Sequence, residues 1–173
     1  MDRLGLIEAN GWGVGPVTVR VGLAGRPDGT PLTTPADIVR YASERLADDD
    51  AGWILPLAIL PEDASSDDVL DALSAADSPN TDELARREQR KWLVLDVEDL
   101  LNALPDDYVE GLHRLTELWL AWELPADAPH RVQTRTNMSP SDYYRQDTYD
   151  EEIARHWAWR DEVAAELRSN AVT

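Results

Sequence analysis

The sequence predicts an all-α protein, a multi-helix single domain packed around a central αα-hairpin, with at most a minor strand pair near the N-terminus. Three observations carry this. The run 81–124 holds two long helical patterns separated by one short break, Leu104-Pro105-Asp106-Asp107. In the second pattern Tyr108, Leu112, Leu115, Trp119 and Trp122 recur at helical spacing, one side of an α-helix. Helix-start signals also recur along the chain, and only one segment alternates as a strand would.

In chain order, Leu4, Leu6 and Ile7 open a short helix that ends at Asn10-Gly11. Gly11-Trp12-Gly13-Val14-Gly15 reads as a turn. A phosphate loop would follow a strand and end in Lys-Ser or Lys-Thr, and neither is present. Val17, Val19 and Val21, with Thr18 and Arg20 between them, alternate as in a short strand. Gly25 to Pro31 is a turn-rich loop. A helix then starts with Thr34 as N-cap, Pro35 at the first position and Asp37 at the third, burying Ile38, Tyr41, Ala42 and Leu46. Asp48, Asp49 and Asp50 end it in solvent.

Trp53 to Leu60 is nearly all apolar and, despite Pro56, reads as a buried helical turn. Ser65 or Ser66 starts the next helix, with Asp67 and Asp68 where negative charge suits the helix dipole and Val69, Leu70 and Leu73 inward. Thr81 opens the hairpin. Arg86 to Lys91 forms a basic outer face that pairs with the chain's own carboxylates, and Trp92, Leu93, Leu95, Val97, Leu100, Leu101 and Leu104 pack against the second helix. Pro125 to Ser141 reads as a long polar loop, a feature that is often functional. Tyr143, Tyr144 and Tyr149 follow it, either as partner contacts or folded back over the core. The last helix runs from about Asp150 to Ser169, with Ile153, Trp157, Val163 or Ala164, and Leu167 in step.

Composition limits the function. The 173 residues suit one domain, 1–173, and there is no internal repeat. With no cysteine, disulfides, thiolate metal sites and cysteine nucleophiles are excluded. The start MDRLGLIEANGW is no signal peptide and no apolar run is long enough to span a bilayer, so a soluble, cytoplasmic protein is expected. The formal net charge is −18, from 34 acidic and 16 basic residues. That argues against nucleic acid and anionic membranes, both of which need a cationic surface. It favours a basic protein partner, steered by acidic clusters.

No arrangement points firmly to chemistry. Glu110, His113 and Glu117 share one helical face, but a carboxylate-bridged di-metal bundle needs a second Glu-x-x-His. Glu152 and His156 are four apart, a poor substitute, and His130 stands alone in the loop beside Pro129. No Gly-x-Ser-x-Gly elbow or Ser-x-x-Lys occurs. No catalytic residue, metal or cofactor is expected.

An early Trp12, the Val-rich run into Gly22-Leu23, Ile38-Val39-Arg40-Tyr41-Ala42 and Arg90-Lys91-Trp92-Leu93 together resemble an uncharacterised family of small acidic bacterial helical proteins. It is catalogued as a domain of unknown function, and some of its members appear among toxin-neutralising immunity proteins. The resemblance implies a helical fold and supplies no catalytic residues. The expected function is a non-enzymatic acidic binding protein, an immunity-type inhibitor of a basic bacterial toxin. Its contact residues would be Asp48, Asp49, Asp50, Asp106, Asp107, Tyr143, Tyr144 and Tyr149. The alternatives are an interaction module working as a homodimer and, third, a small hydrolytic or metal-dependent enzyme. The oligomeric state is left open.

Overall fold

The computed structural model describes residues 2–47, 51–74, 81–133 and 138–169. These residues form nine α-helices and no strand, as the all-α expectation requires: α1 (Arg3–Ala9), α2 (Pro16–Ala24), α3 (Pro35–Arg45), α4 (Ile54–Ala58), α5 (Ser66–Ser74), α6 (Asp82–Asn102), α7 (Tyr108–Ala121), α8 (Pro140–Tyr143) and α9 (Gln146–Ser169). They fall into two compact units, 2–92 and 93–169, with α6 beginning in the first and ending in the second.

In the first unit the strand expected over Val17, Val19 and Val21 is instead α2. Pro16 occupies the first helical position, where its missing N–H costs nothing, and Thr18 Oγ1 accepts from Gly15 N at 3.0 Å. β-branched residues lower helix propensity by only about half a kcal/mol each, less than their burial returns. Val17, Thr18 and Val19 are all buried. Gly22 lies under Trp92 and Thr33 so closely that a Cβ there would collide with both. Trp92 is fixed in turn by its indole N–H, which donates to Thr18 O at 3.0 Å.

The cap of α3 forms as read: Thr34 Oγ1 accepts from Asp37 N at 3.2 Å. Ser65 caps α5 in the same way, and Asp68 reaches back to Ser65 N at 2.8 Å, a reciprocal capping pair. α4 packs against α3 and α5, burying Ile54 and Leu57 completely. Leu46 and Leu70, expected inside, are 44% and 40% exposed, because the inner faces of α3 and α5 are filled by Ile38, Tyr41, Ala42, Val69 and Leu73.

In the second unit α6 and α7 make the hairpin, joined by 103–107. Asp107 caps α7, accepting from Glu110 N at 2.9 Å, and Trp122 Nε1 donates to Asp96 at 2.9 Å near the open end. Leu112, Leu115 and Trp119 are fully buried, whereas Tyr108 at the rim is 36% exposed. α7 packs on α9, and Gly111 makes room for the Tyr149 ring, with which any Cβ would overlap. The buried stripe of α9 is Tyr149, Glu152, His156, Trp159, Val163 and Leu167. Val163, Ala164 and Leu167 are buried as expected, whereas Ile153 and Trp157, expected with them, are only half-buried.

Candidate functional site

Two polar residues, Glu152 and His156, therefore occupy core positions on α9, and the 125–133 segment brings His130 to them. The three side chains have no solvent exposure at all. Their ligand-type atoms lie within 4.8 Å of one another, the only such grouping of His, Cys, Asp or Glu among the described residues that could hold a metal ion.

Hydrogen bonding fixes the state of His156. Its Nδ1 lies 2.6 Å from the Glu152 carbonyl oxygen and its Nε2 2.7 Å from Trp119 Nε1. A carbonyl only accepts and an indole N–H only donates. Nδ1 therefore carries the proton, Nε2 the lone pair, and both nitrogens are committed. Burial pushes this imidazole down to about 4, so the ring is neutral at pH 7. His130 is held from the other side. Thr116 donates to Leu112 O at 2.9 Å, so its oxygen accepts from His130 Nε2, also at 2.9 Å. His130 Nδ1 sits 3.3 Å from Glu152 Oε2 but is not aligned to it, and has no hydrogen-bond partner among the described residues.

Glu152 is the hub. Its Oε1 accepts from Arg131 Nε at 2.9 Å and Arg155 Nη1 at 3.0 Å. Burial alone would raise this carboxyl, yet His130, Arg131 and Arg155 together bring it down to about 2. Tyr143 completes the surround. Its hydroxyl donates to Arg131 O at 2.7 Å, and burial pushes it up to about 12. Arg155 also donates to Pro129 O at 3.1 Å and Trp159 lies 3.4 Å from Asp127, so the 125–133 segment is pinned along α9.

This set can clasp a segment, but a metal ion fits it poorly. A ligating His156 would need a free lone pair, and its single lone pair already accepts from Trp119. One carboxylate is matched by two guanidiniums, so a divalent cation would enter against positive charge. Over residues 8–162 the chain matches the family model DUF2247, described as an uncharacterised protein conserved in bacteria. The chain belongs to this family. No curated protein and no solved structure matches it.

The first unit of this DUF2247 chain has a second buried polar cluster. Lys91, expected on an outer basic face, turns inward: its Nζ donates to Glu88 Oε2 at 2.5 Å and to Gly13 O at 3.0 Å. Glu88 also accepts from Thr18, and burial lowers the Lys91 ammonium below its usual range. Arg86 does remain exposed, donating to Asp82 O.

The expected contact residues divide three ways. Asp48, Asp49 and Asp50 lie outside the described residues. Asp106 and Asp107 are exposed, beside Tyr108 and Val109, which are 36% and 37% exposed. Tyr143 and Tyr149 are buried, their hydroxyls spent on Arg131 O and Pro105 O, so they are packing residues and not surface anchors. Tyr144 is half-buried against the exposed His113 ring, 5.2 Å between centroids. Glu110 and Glu117 are also exposed, and Glu110 pairs with Arg114.

Proposed function

We propose that this DUF2247 protein is a non-enzymatic binding protein whose partner is a basic protein, acting as an immunity-type inhibitor when that partner is a toxin. The observation that carries this reading is the fate of the cations. Against a net charge of −18, Lys91 is buried on Glu88, and Arg40, Arg45, Arg114, Arg131, Arg155 and Arg160 each pair with a carboxylate of the same chain. At least seven of the sixteen basic side chains are thus paired within the chain, and with the net charge the field offered outward is negative. Such a field steers a cationic protein and repels phosphate backbones and anionic lipid. Asp106 and Asp107, next to the exposed Tyr108 and Val109, have the accessibility a contact needs.

The sealed His130–Glu152–His156 group supports a non-enzymatic role, since its side chains have no solvent exposure and both His156 nitrogens are committed. No helix among the described residues is long and apolar enough to cross a membrane. The homodimer reading has less support. Six of the seven Trp residues are buried (Trp12, Trp53, Trp92, Trp119, Trp122 and Trp159), leaving only the half-buried Trp157. The test is a pull-down of the purified protein with the product of the adjacent gene, at low and at high salt. Salt-sensitive capture of a basic protein with loss of its toxicity is expected. Failure to capture it at low salt overturns the immunity reading.

A further inference from the structure

Among the described residues of the first unit, Leu46, Leu55, Ile59 and Leu70 are large apolar side chains at the surface. On α4 the inner residues Ile54 and Leu57 are fully buried. Leu55 and Ile59, one helical turn apart on the opposite side, are 53% and 72% exposed, and Ile59 is the most exposed large apolar residue among those described. Ser43 Oγ lies 3.4 Å from Ala58 O, which sets the end of α4 against α3. There a surface groove is lined by Ala36, Val39, Ser43 and Arg40, with Glu44 and Glu62 exposed at its edge. Arg40 is already paired with Asp37. Through Ser43, which lines the groove and contacts Ala58 O, the end of α4 that carries Ile59 adjoins the groove, with carboxylates at the rim.

Apart from Arg40, the charge around them is negative. Between Arg45 and Arg86 the sequence contains eleven carboxylates and no Lys, Arg or His. Among the described residues of that stretch, Glu62, Asp63, Asp67, Asp68 and Asp71 are all exposed. A second copy of the chain would bring the same charges to the contact and be repelled, and an anionic lipid surface would be repelled likewise.

We infer that the outer face of α4 with the adjoining α3 groove is the docking surface for a basic amphipathic segment of a partner protein. Apolar side chains of that segment would cover Leu55 and Ile59 while its Lys or Arg side chains face Glu44 and Glu62. This rests on the proposed binding role and adds the place and the form of the contact. An apolar centre gives lasting affinity, and an acidic rim gives speed and selection.

The test uses the isotope-labelled full-length protein and two synthetic peptides of equal length and charge. One is a Leu/Lys amphipathic helix and the other replaces every Leu with Ser. In NMR titrations at low salt, the Leu/Lys peptide should shift the amides of residues 54–63 and those around Glu44. The Lys/Ser peptide should bind about tenfold more weakly, the effect of leaving two half-exposed apolar side chains uncovered. L55S/I59S, at two largely exposed side chains, should lose a similar factor while remaining folded, with its melting temperature lowered by no more than a few degrees, and E44Q/E62Q should flatten the salt dependence. Binding of the peptide elsewhere, or with unchanged affinity for L55S/I59S, overturns the α4 assignment and leaves the basic-partner reading intact. No binding of either peptide counts against both.

Discussion

Glu152→Gln tests the clasp that holds the 125–133 segment on α9. The carboxylate has no solvent exposure and lies 2.9 and 3.0 Å from the Arg131 and Arg155 guanidiniums. Its folded value of about 2, against an ordinary 4.5, is a difference of about 2.5. At about 1.4 kcal/mol for each tenfold change this corresponds to ~3 kcal/mol at pH 7. Arg131 and Arg155 are 37% and 32% exposed, so they can turn to water when the charge is lost, which brings the expected cost to about 2–3 kcal/mol. The assay is urea unfolding followed by tryptophan fluorescence, with Trp119 and Trp159 reporting on this unit. Because the carboxyl is lowered on folding, its contribution is complete above about pH 4.5 and is lost as pH falls toward 2. The gap between wild type and variant should narrow over that window. A variant within about 0.5 kcal/mol of wild type at pH 7, or a gap that widens in acid, refutes the assignment of Glu152 as hub.

Four further outcomes follow from the same geometry. Gly111→Ala places a methyl on the Tyr149 ring and should destabilise by about 1–3 kcal/mol in the same unfolding assay, since overpacking a buried contact forces a shift. His156 is held neutral with its value lowered from 6.5 to about 4. Its contribution is therefore whole above pH 6.5 and lost as pH falls toward 4; His156→Gln should flatten the stability profile in that interval, as measured by thermal melts across pH. Lys91→Met leaves the Glu88 carboxylate buried with only Thr18 as partner and should cost about 3 kcal/mol in thermal or urea unfolding. Added zinc should leave the melting temperature unchanged, because both His156 nitrogens are occupied; a rise of several degrees would contradict that hydrogen-bond assignment.

The helical periodicity of 108–122 and the caps at Thr34 and Ser65 were legible because each is a local signal: apolar spacing, or an oxygen placed beside orphan N–H groups. Val17 to Val21 misled because valine alternation mimics a strand, and only the Pro16 start and tertiary burial against Trp92 tip it to helix. On α9 a search for apolar spacing picks Ile153 and Trp157 and skips the buried Glu152 and His156. Polar residues enter a core only when partners arrive from distant sequence, here His130, Arg131 and Trp119. Such partners leave no periodic trace. The i, i+4 spacing of Glu152 and His156 was visible, but the loop residue that joins them was not. Lys91 was misplaced for the same reason, since its acceptor Gly13 O lies far away in the chain.

The role proposed for this protein is a stoichiometric, non-catalytic hold on a basic protein. It is tested most directly by titrating the adjacent gene's product with this protein and following loss of the product's toxic activity. The endpoint should fall at a fixed molar ratio near equivalence, with an affinity that drops at least about tenfold as salt screens the acidic surface. Neutralisation by a small fraction of an equivalent, continuing with time, would be turnover and would contradict it.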